Sequence, residues 1–236
     1  MDLRIVIVIP TYNESGNLKK LVSGIDKAFN HESYKILFVD DASPDGTAQL
    51  AKQLAKKYPI QVISRSGKLG LGSAYITGYK KAFTQHPEFI MSMDADLSHN
   101  PAALPALLKQ ALTGSDVVLG SRYVKGGGVQ NWQWYRRLMS RGANTLARIA
   151  LGVPAHDLTG AFRCFHTKVL ESLDLDSIKS DGYSFLEEIL YLCVKKGYSI
   201  AEVPIWYKER QIGRSKLSRK EMIKFFFTLI RLRFGL

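Results

Sequence analysis

Short apolar runs alternate with amphipathic segments through the first half of the chain. Residues 5–9 are all Ile or Val, and residues 36–39 and 60–63 are mostly apolar. Such β-branched runs are typical of strands that are buried on both faces of a parallel sheet. After the first run, apolar residues recur at helical spacing through residues 18–29. The pattern predicts an α/β fold with a doubly wound, mostly parallel, Rossmann-like sheet.

The alternation continues toward the carboxyl end of the chain. Two further strands are predicted at residues 88–93 and 117–119, on either side of a helix at 104–112. A last strand at 200–205 contains Pro204, which cannot donate to a central ladder. We therefore expect this last strand at an edge of the sheet.

Two segments of the second half predict amphipathic helices of an unusual kind. In residues 132–151, apolar side chains follow one helical face and arginines follow another, and in residues 218–236 apolar side chains occur almost all round. Both patterns are typical of helices that lie in a membrane interface. A helix that packs on the sheet with a solvated basic face remains an alternative for the first segment. The glycines within residues 125–129 predict a flexible loop between the two halves.

A pair of carboxylates, Asp94 and Asp96, follows the strand predicted at residues 88–93. Open α/β sheets bind ligands at the carboxyl ends of their strands. Mg²⁺ and Mn²⁺ prefer oxygen ligands and are held by one or two carboxylates together with substrate phosphates. The pair therefore predicts a Mg²⁺ or Mn²⁺ site. In the alternative, Asp96 only caps the helix that begins near residue 100, and Asp94 is a solvated strand end.

Three more acids, Glu14, Asp40 and Asp41, follow other predicted strands and are expected at the same sheet edge. Carboxylates there can accept hydrogen bonds from a nucleobase or a ribose. Tyr75 stands where a dinucleotide-binding fingerprint needs its third glycine, and no Walker-type phosphate loop occurs. These features argue against a dehydrogenase and against an ATPase.

Positive charge is concentrated in the second half of the chain. The 236 residues carry 33 Lys and Arg against 21 Asp and Glu, a formal net charge of +12. No acidic residue occurs between Asp116 and Asp157. An anionic partner is therefore expected for this half. A nucleic-acid-binding module would fit the charge, but it leaves the acids at the strand ends unexplained, so no nucleic acid is expected as partner.

Cysteine usage and the amino terminus bear on the compartment. Cys164 and Cys193 have neither metal-binding nor redox spacing, which favours a reducing compartment. The first residues lack the features of a signal peptide, and no run approaches the ~20 apolar residues that span a bilayer. We expect a peripheral protein on the cytoplasmic face of a membrane, without a signal peptide or a transmembrane span.

Six motifs, in order over nearly the whole chain, resemble the inverting glycosyltransferases of the glycosyltransferase-A fold. The match is closest to the dolichyl-phosphate (polyprenyl-phosphate) mannose synthases. The motifs include Pro-Thr-Tyr-Asn-Glu, Val-Asp-Asp-Ala-Ser-Pro-Asp-Gly-Thr and Asp-Ala-Asp-Leu-Ser-His. They occupy residues 10–14, 39–47, 94–99, 120–123, 157–163 and 210–216. Together they are far more specific than an isolated Asp-x-Asp pair.

The resemblance implies a role for each matching residue. The guanosine pocket would be lined by Pro10, Tyr12, Glu14, Val39 and Asp41. The diphosphate and its metal would be held by Asp94, Ala95 and Asp96. Ser98, a candidate third ligand, departs from the glutamine that some relatives have at this position. The donor or acceptor phosphates would be bound by Arg122, Arg210 and Lys216, which with Asp96 are the implied catalytic residues. The acceptor phosphate and lipid would contact Arg136, Arg137, Ser140 and Arg141.

The implied reaction moves mannose from GDP-mannose to a polyprenyl (dolichyl) phosphate, with inversion. Residues 1–236 would form one catalytic domain, in which 1–123 bind the nucleotide sugar and 124–236 bind the acceptor. Many relatives carry carboxy-terminal transmembrane helices, so a small membrane-anchoring subunit or the amphipathic helices themselves would attach this chain to a membrane surface. A UDP-glucose-dependent transferase with the same lipid acceptor, or a transferase to a soluble sugar, is the alternative.

Overall fold

A computed structural model describes residues 4–29, 33–180, 182, 184–209 and 219–234. The strands are β1 (Ile5–Thr11), β2 (Tyr34–Asp40), β3 (Ile60–Ser64), β4 (Phe89–Ser92), β5 (Val117–Ser121), β6 (Gly128–Gln130), β7 (Arg163–His166), β8 (Ile200–Pro204) and β9 (Trp206–Lys208). The helices are α1 (Ser15–Ala28), α2 (Thr47–Leu54), α3 (Leu71–Phe83), α4 (Leu104–Leu112), α5 (Trp134–Leu151), α6 (Thr167–Ser172), α7 (Ser184–Lys195) and α8 (Arg219–Phe234). Short 3₁₀ turns occur at Pro101–Ala103 and Leu175–Ser177.

Seven strands form the main sheet, in the order β3-β2-β1-β4-β7-β5-β8. All neighbours pair in parallel except β7, which runs antiparallel to both β4 and β5. The predicted mostly parallel α/β fold is therefore confirmed. The strand that contains Pro204 lies at the edge, as its sequence predicts.

The first strand is buried on both faces of the sheet, as its Ile and Val residues predict. Ile5, Ile7 and Ile9 enter a core shared with α1, α2 and α4, whereas Val6 and Val8 enter a second core with α3 and α7. All five side chains are 0% exposed. This alternation fixes the register of β1, because a shift by one residue would exchange the two faces.

Helix α3 approaches β1 closely at a glycine. A Cβ on Gly78 would come within 2.2 Å of Val8 Cγ1, so a larger residue there would displace the helix or the strand. The close approach brings α3 against the strands whose carboxyl ends carry the candidate site.

A second, two-stranded sheet was not predicted from the sequence. β6 pairs in parallel with β9, and Gly128 lies under the ring of Trp206. The expectation of a flexible loop at 125–129 is therefore wrong for Gly128 and Val129. The pairing joins segments that are far apart in the chain, so no local hydrophobic pattern reports it.

Helix α5 carries its large apolar side chains on the outside. Asn144, Ala147 and Leu151 are buried, whereas Leu138 and Ile149 on the opposite side are 65% and 74% exposed. Helix α8 packs against α5 and α7 and adds more exposed apolar rings. Those exposed rings and side chains of α8 are Phe226, Phe227, Ile230 and Phe234. Within the described ranges, no helix is both long enough and apolar enough to cross a membrane.

Candidate active site

The site is built from three turns at the carboxyl ends of β1, β2 and β4. Each turn contains one residue other than glycine with positive φ: Asn13 at 60°, Ala42 at 53° and Leu97 at 62°. L-residues rarely adopt this conformation, and it persists only where the surroundings enforce it. The three turns are therefore held in defined shapes in the free protein.

The turn after β1 is tied to the turn after β2. Glu14 donates its N–H to Thr47 Oγ1 at 2.9 Å and accepts from Asn17 Nδ2 at 2.8 Å. Asn13 N–H donates to Ser43 Oγ at 3.0 Å. Glu14, predicted in the nucleotide pocket, is thus almost buried and fixed in place.

The two acids after β2 have different structural partners. Asp40 accepts from Thr11 Oγ1 at 3.0 Å and from the backbone and hydroxyl of Ser43 at 2.9 and 2.6 Å. Asp41 binds the guanidinium of Arg65 and accepts from Leu69 N–H at 3.2 Å. The basic loop after β3 is therefore held against the predicted guanosine pocket.

The other predicted pocket residues lie around these turns. Pro10 and Tyr12 are half-buried, and Lys68 Nζ lies 4.5 Å from the centre of the Tyr12 ring. Val39 is fully buried at the end of β2. A cation over an aromatic face is attractive, and here it places the basic loop above Tyr12.

The acid pair follows β4 directly. Asp96 is 3% exposed and accepts from Ser98 N–H at 3.0 Å, whereas the Asp94 side chain is 29% exposed. Ala95, between the two acids in sequence, and Ser98, which follows them, are also buried. The Asp96–Ser98 bond belongs to the turn itself, and the following 3₁₀ turn is capped by the side chain of Asn100, which accepts from Ala102 N–H.

The described residues contain no group of three or more His, Cys, Asp or Glu side chains that would hold a metal ion. Asp94 and Asp96 fit a different type of site, in which two carboxylates bind Mg²⁺ or Mn²⁺ and substrate phosphates and water complete the coordination. The donor chemistry is therefore compatible with a metal that arrives with a diphosphate.

His99 is a residue whose role the sequence did not indicate. Its Nδ1 accepts from the Asp94 N–H at 3.3 Å, its ring stacks on Phe162 at 5.1 Å, and Tyr207 meets it edge-on at 5.4 Å. Burial lowers the pKa of His99 to about 4, so the ring is neutral near pH 7. His99 thus holds the backbone of the acid turn as a hydrogen-bond acceptor.

Arg122, at the end of β5, is anchored by a buried carboxylate. Its Nε and Nη2 donate to Asp157 at 2.7 and 2.6 Å, and Nη2 also donates to Thr159 Oγ1 at 2.8 Å. Burial alone would raise the pKa of Asp157, but the charge and hydrogen bonds of Arg122 lower it overall. The predicted phosphate-binding arginine is therefore oriented before any ligand arrives.

Two further buried residues shape the turn that carries Asp157. Arg163 is fully buried and donates to the carbonyls of Gly160, Leu186 and Leu158 at 2.8, 2.7 and 2.6 Å. Asn144 of α5 accepts from Leu158 N–H at 2.7 Å. The sequence marked the 157–163 motif but not these contacts. The bonds of Arg163 to Gly160 and Leu158 lie within the motif, whereas those to Leu186 and from Leu158 to Asn144 join it to α7 and α5.

The predicted acceptor residues lie on α5, next to β6 and β9. Arg136 pairs with Glu209 at 2.5 Å, and Arg137 donates to the Val129 carbonyl at 3.4 Å. Ser140 Oγ accepts from the Tyr123 hydroxyl at 2.6 Å, and Arg141 lies 5.9 Å from the centre of the same ring. Arg210 and Lys216 lie outside the described residues.

The two glutamates at the start of α7 have different surroundings. Glu188 binds Arg231 of α8 and accepts from Ser180 N–H, both within 2.9 Å. Glu187 is 1% exposed, and burial raises its pKa to about 8, while Arg163 lowers it in part. Glu188 therefore links α7 to α8, and Glu187 is a neutral group of the interior.

The chain is similar to known glycosyltransferases over most of its length. A family model described as "Glycosyl transferase family 2" matches residues 6–174. Polyprenol monophosphomannose synthase of Mycolicibacterium smegmatis is 42% identical over 217 residues, which are 91% of this chain and 81% of that protein. Dolichol-phosphate mannosyltransferase of Pyrococcus furiosus is 41% identical over 233 residues, which are 98% of this chain and 64% of that protein.

Solved structures show the same fold at low identity. Glucosyl-3-phosphoglycerate synthase of Mycobacterium tuberculosis, in complex with Mn²⁺, UDP and glucosyl-3-phosphoglycerate, superimposes with a TM-score of 0.70 at 18% identity, over 99% of this chain and 81% of that one. A complex of that enzyme with Mg²⁺ and UDP gives the same score over 99% and 80%. The fold, the acids at the strand ends and the family match agree: the chain belongs to glycosyl transferase family 2 and is a glycosyltransferase.

Proposed function

We propose that this protein transfers mannose from GDP-mannose to a polyprenyl (dolichyl) phosphate, with inversion at the anomeric carbon. The observation that carries the proposal is the 41–42% identity to two mannosyl transferases whose names specify polyprenol or dolichol phosphate. The acids at the strand ends and the anchored Arg122 supply groups of the charge that this reaction needs.

On the donor side, the nucleotide sugar would bind across the turns after β1, β2 and β4. Pro10, Tyr12, Glu14, Val39 and Asp41 are assigned to the guanosine. Asp94, Ala95 and Asp96 are assigned to the diphosphate and a Mg²⁺ or Mn²⁺ ion, with Ser98 as a candidate further ligand. When bound, the metal would stabilise the negative charge that develops on the leaving GDP.

On the acceptor side, cationic groups would hold the lipid phosphate. Its oxygen is already an anion near neutral pH, so it needs no strong general base to attack the anomeric carbon. The contribution of the chain is position and charge: Arg122, with Arg210 and Lys216, would align the phosphate with the donor. Arg136, Arg137, Ser140 and Arg141 would extend this site along α5.

The exposed apolar faces of α5 and α8 support peripheral binding to a membrane. Six large apolar side chains of α5 are exposed, and α8, which packs beside α5, adds four more. The six are Trp134, Tyr135, Leu138, Met139, Leu146 and Ile149. We assign this surface to the interfacial region of the cytoplasmic leaflet, where the lipid acceptor is located. A small membrane-anchoring subunit is a further proposed partner, and a nucleic acid is not.

The two halves of the chain would bind different substrates. In this proposal residues 1–123 bind the donor and residues 124–236 bind the acceptor and the membrane, within one catalytic domain. The proposal accounts for the coexistence of an acidic sheet edge and a basic second half.

A transfer assay tests the donor and the acceptor separately. Purified protein is incubated with Mn²⁺ or Mg²⁺, polyprenyl phosphate vesicles, and radiolabelled GDP-mannose, UDP-glucose or UDP-mannose. The label should enter the organic extract only from GDP-mannose and only when the lipid phosphate is present. Transfer from UDP-glucose alone would overturn the assignment of mannose, and label that stays in the aqueous phase would overturn the lipid acceptor.

A further inference from the structure

The three tryptophans of the chain have very different surroundings. Trp134 is 76% exposed and Trp206 is 53% exposed, but Trp132, between β6 and α5, is 8% exposed. Its Nε1 is buried and has no hydrogen-bond partner among the described residues. Buried indole N–H groups usually find an acceptor, because an unpaired buried donor costs free energy. The exception at Trp132 therefore indicates an acceptor that is not part of the described chain.

Two guanidinium groups lie close to the indole ring. The Cζ atoms of Arg136 and Arg122 are 4.2 and 5.7 Å from the centre of the Trp132 ring. The negative face of an indole attracts such cations and reduces the repulsion between them. Trp132 is therefore placed to hold two arginines near each other.

The bonds that these arginines make within the described part of the chain leave donors for a second anion. The bonds of Arg122 to Asp157 and Thr159 use Nε and Nη2, and the bond of Arg136 to Glu209 uses Nη1. A guanidinium has five N–H donors, so a single carboxylate partner does not exhaust it. The acceptor that completes this group is thus expected to be an oxyanion.

The same indole is connected to the acid turn. Tyr207 meets Trp132 edge-on at 5.5 Å and His99 edge-on at 5.4 Å, and Lys208 N–H donates to the Ser98 carbonyl at 3.1 Å. A continuous set of rings therefore runs from the candidate metal turn to the arginines of α5.

From these contacts we infer that Trp132 positions the phosphate of the acceptor, by donating its indole N–H to a phosphate oxygen between Arg122 and Arg136. The inference rests on the proposed function, because it takes the oxyanion to be the attacking prenyl phosphate. The diphosphate of the donor has the same chemistry, and the experiments below separate the two sources.

The first experiment compares two tryptophan-to-phenylalanine variants in the transfer assay. Trp132→Phe keeps an aromatic ring and removes the N–H, and Trp206→Phe makes the same change on β9, outside the assigned site. We expect Trp132→Phe to raise the KM for a short-chain prenyl phosphate by about tenfold to a hundredfold, the effect of losing one hydrogen bond to a charged group. The KM for GDP-mannose should not change, and Trp206→Phe should match the wild type.

The second experiment observes the N–H itself in the unaltered protein. The three indole N–H signals in a ¹⁵N–¹H spectrum are assigned from the single Trp→Phe variants. Addition of the short-chain prenyl phosphate should move the Trp132 signal downfield, as expected when the N–H forms a bond to phosphate. GDP with Mg²⁺ should leave that signal in place.

The outcomes distinguish this inference from the proposed function. If the wild type transfers mannose but the acceptor KM of Trp132→Phe and the Trp132 signal do not change, the role of Trp132 is wrong and the function stands. If GDP moves the signal and prenyl phosphate does not, the N–H binds the donor and the inference is overturned. If the wild type transfers no mannose to the lipid, the proposed function itself fails.

Discussion

Two regions of the molecule differ in how their side chains are satisfied: the donor edge, which is the carboxyl ends of β1, β2 and β4, and the outer surface of α5 and α8. At the donor edge, the side chains of Asp40 and Glu14 are buried; Asp40 accepts from Thr11 of β1, and Glu14 accepts from Asn17 of α1. On the outer surface, Trp134 and Ile149 expose 76% and 74% of their area to solvent. The first region is preorganised in the free protein, whereas the second has an apolar surface of the kind that a partner covers.

The contrast suggests how the two substrates differ. A soluble nucleotide sugar needs a rigid polar site, because its affinity depends on hydrogen bonds that are already oriented. A lipid phosphate is presented at a membrane surface, so the protein needs an apolar face that brings its arginines to the headgroup level. Four variants test this division, in order of decreasing expected effect.

The largest effect is expected at the acid pair of the donor edge. Asp96→Ala should lower the transfer rate by about a thousandfold or more. The substitution removes a ligand of the metal that would stabilise the negative charge on the leaving diphosphate. The melting temperature should stay near that of the wild type. Glu171→Ala, an exposed acid on α6, is the matched control. Near-normal transfer by Asp96→Ala would contradict the metal assignment.

The next effect concerns the link between the two regions, the buried pair of Arg122 and Asp157. Asp157→Asn leaves a buried guanidinium without its charge partner, so it should cost about 3–5 kcal/mol of unfolding free energy and most of the activity. Glu88→Gln breaks the exposed pair with Arg4, whose side chains are 33% and 48% exposed, and should cost less than about 1 kcal/mol. Denaturant titration measures both. Equal costs would show that burial does not strengthen the Arg122 pair.

A buried acid of the second half provides a test by pH. Glu187 has a pKa raised from 4.5 to about 8, so the folded state binds the proton more tightly than the unfolded state. Its contribution to stability is complete below pH 4.5 and is lost as the pH rises toward 8, by a few kcal/mol in all. Glu187→Gln does not titrate and should gain stability relative to the wild type over this range.

The measurement is the difference in unfolding free energy between Glu187→Gln and the wild type at several pH values from 5 to 8. His99 contributes the opposite slope, because its pKa is lowered from 6.5 to about 4 and protonation of the unfolded state destabilises the protein below pH 6.5. His99 is present in both proteins, so its contribution cancels. A difference that stays constant with pH would show that Glu187 is not a buried neutral acid.

The smallest effect is expected on the outer surface. The double variant Leu138→Ser and Ile149→Ser should keep the stability of the wild type within about 0.5 kcal/mol, since both side chains are exposed. Binding to anionic vesicles should weaken by roughly tenfold to a hundredfold. Leu112→Ser removes an exposed leucine of α4 and is the control. Unchanged vesicle binding by the double variant would assign this surface to a protein partner instead.

Sequence patterns predicted the parallel strands of the main sheet because each of these strands carries its own signal. The Ile and Val residues of β1 are buried on both faces, and the acids that follow β1, β2 and β4 lie at one sheet edge. The assigned roles of those acids stay predictions. The antiparallel position of β7 between β4 and β5 could not be predicted from the sequence, because the pattern of a four-residue strand does not indicate its neighbours in the sheet.

The sequence alone determined the fold class, the positions of the acids after their strands and the amphipathic character of α5 and α8. These properties depend on the spacing of apolar and acidic residues along the chain, which can be seen directly in the sequence. Tertiary structure alone decided that Asp157 anchors Arg122, that Arg163 joins its own turn to the Leu186 carbonyl of α7, and that Trp132 is buried while Trp134 is exposed. Those relations arise where separate segments pack together, and the hydrophobic periodicity of one segment does not report which other segment it contacts.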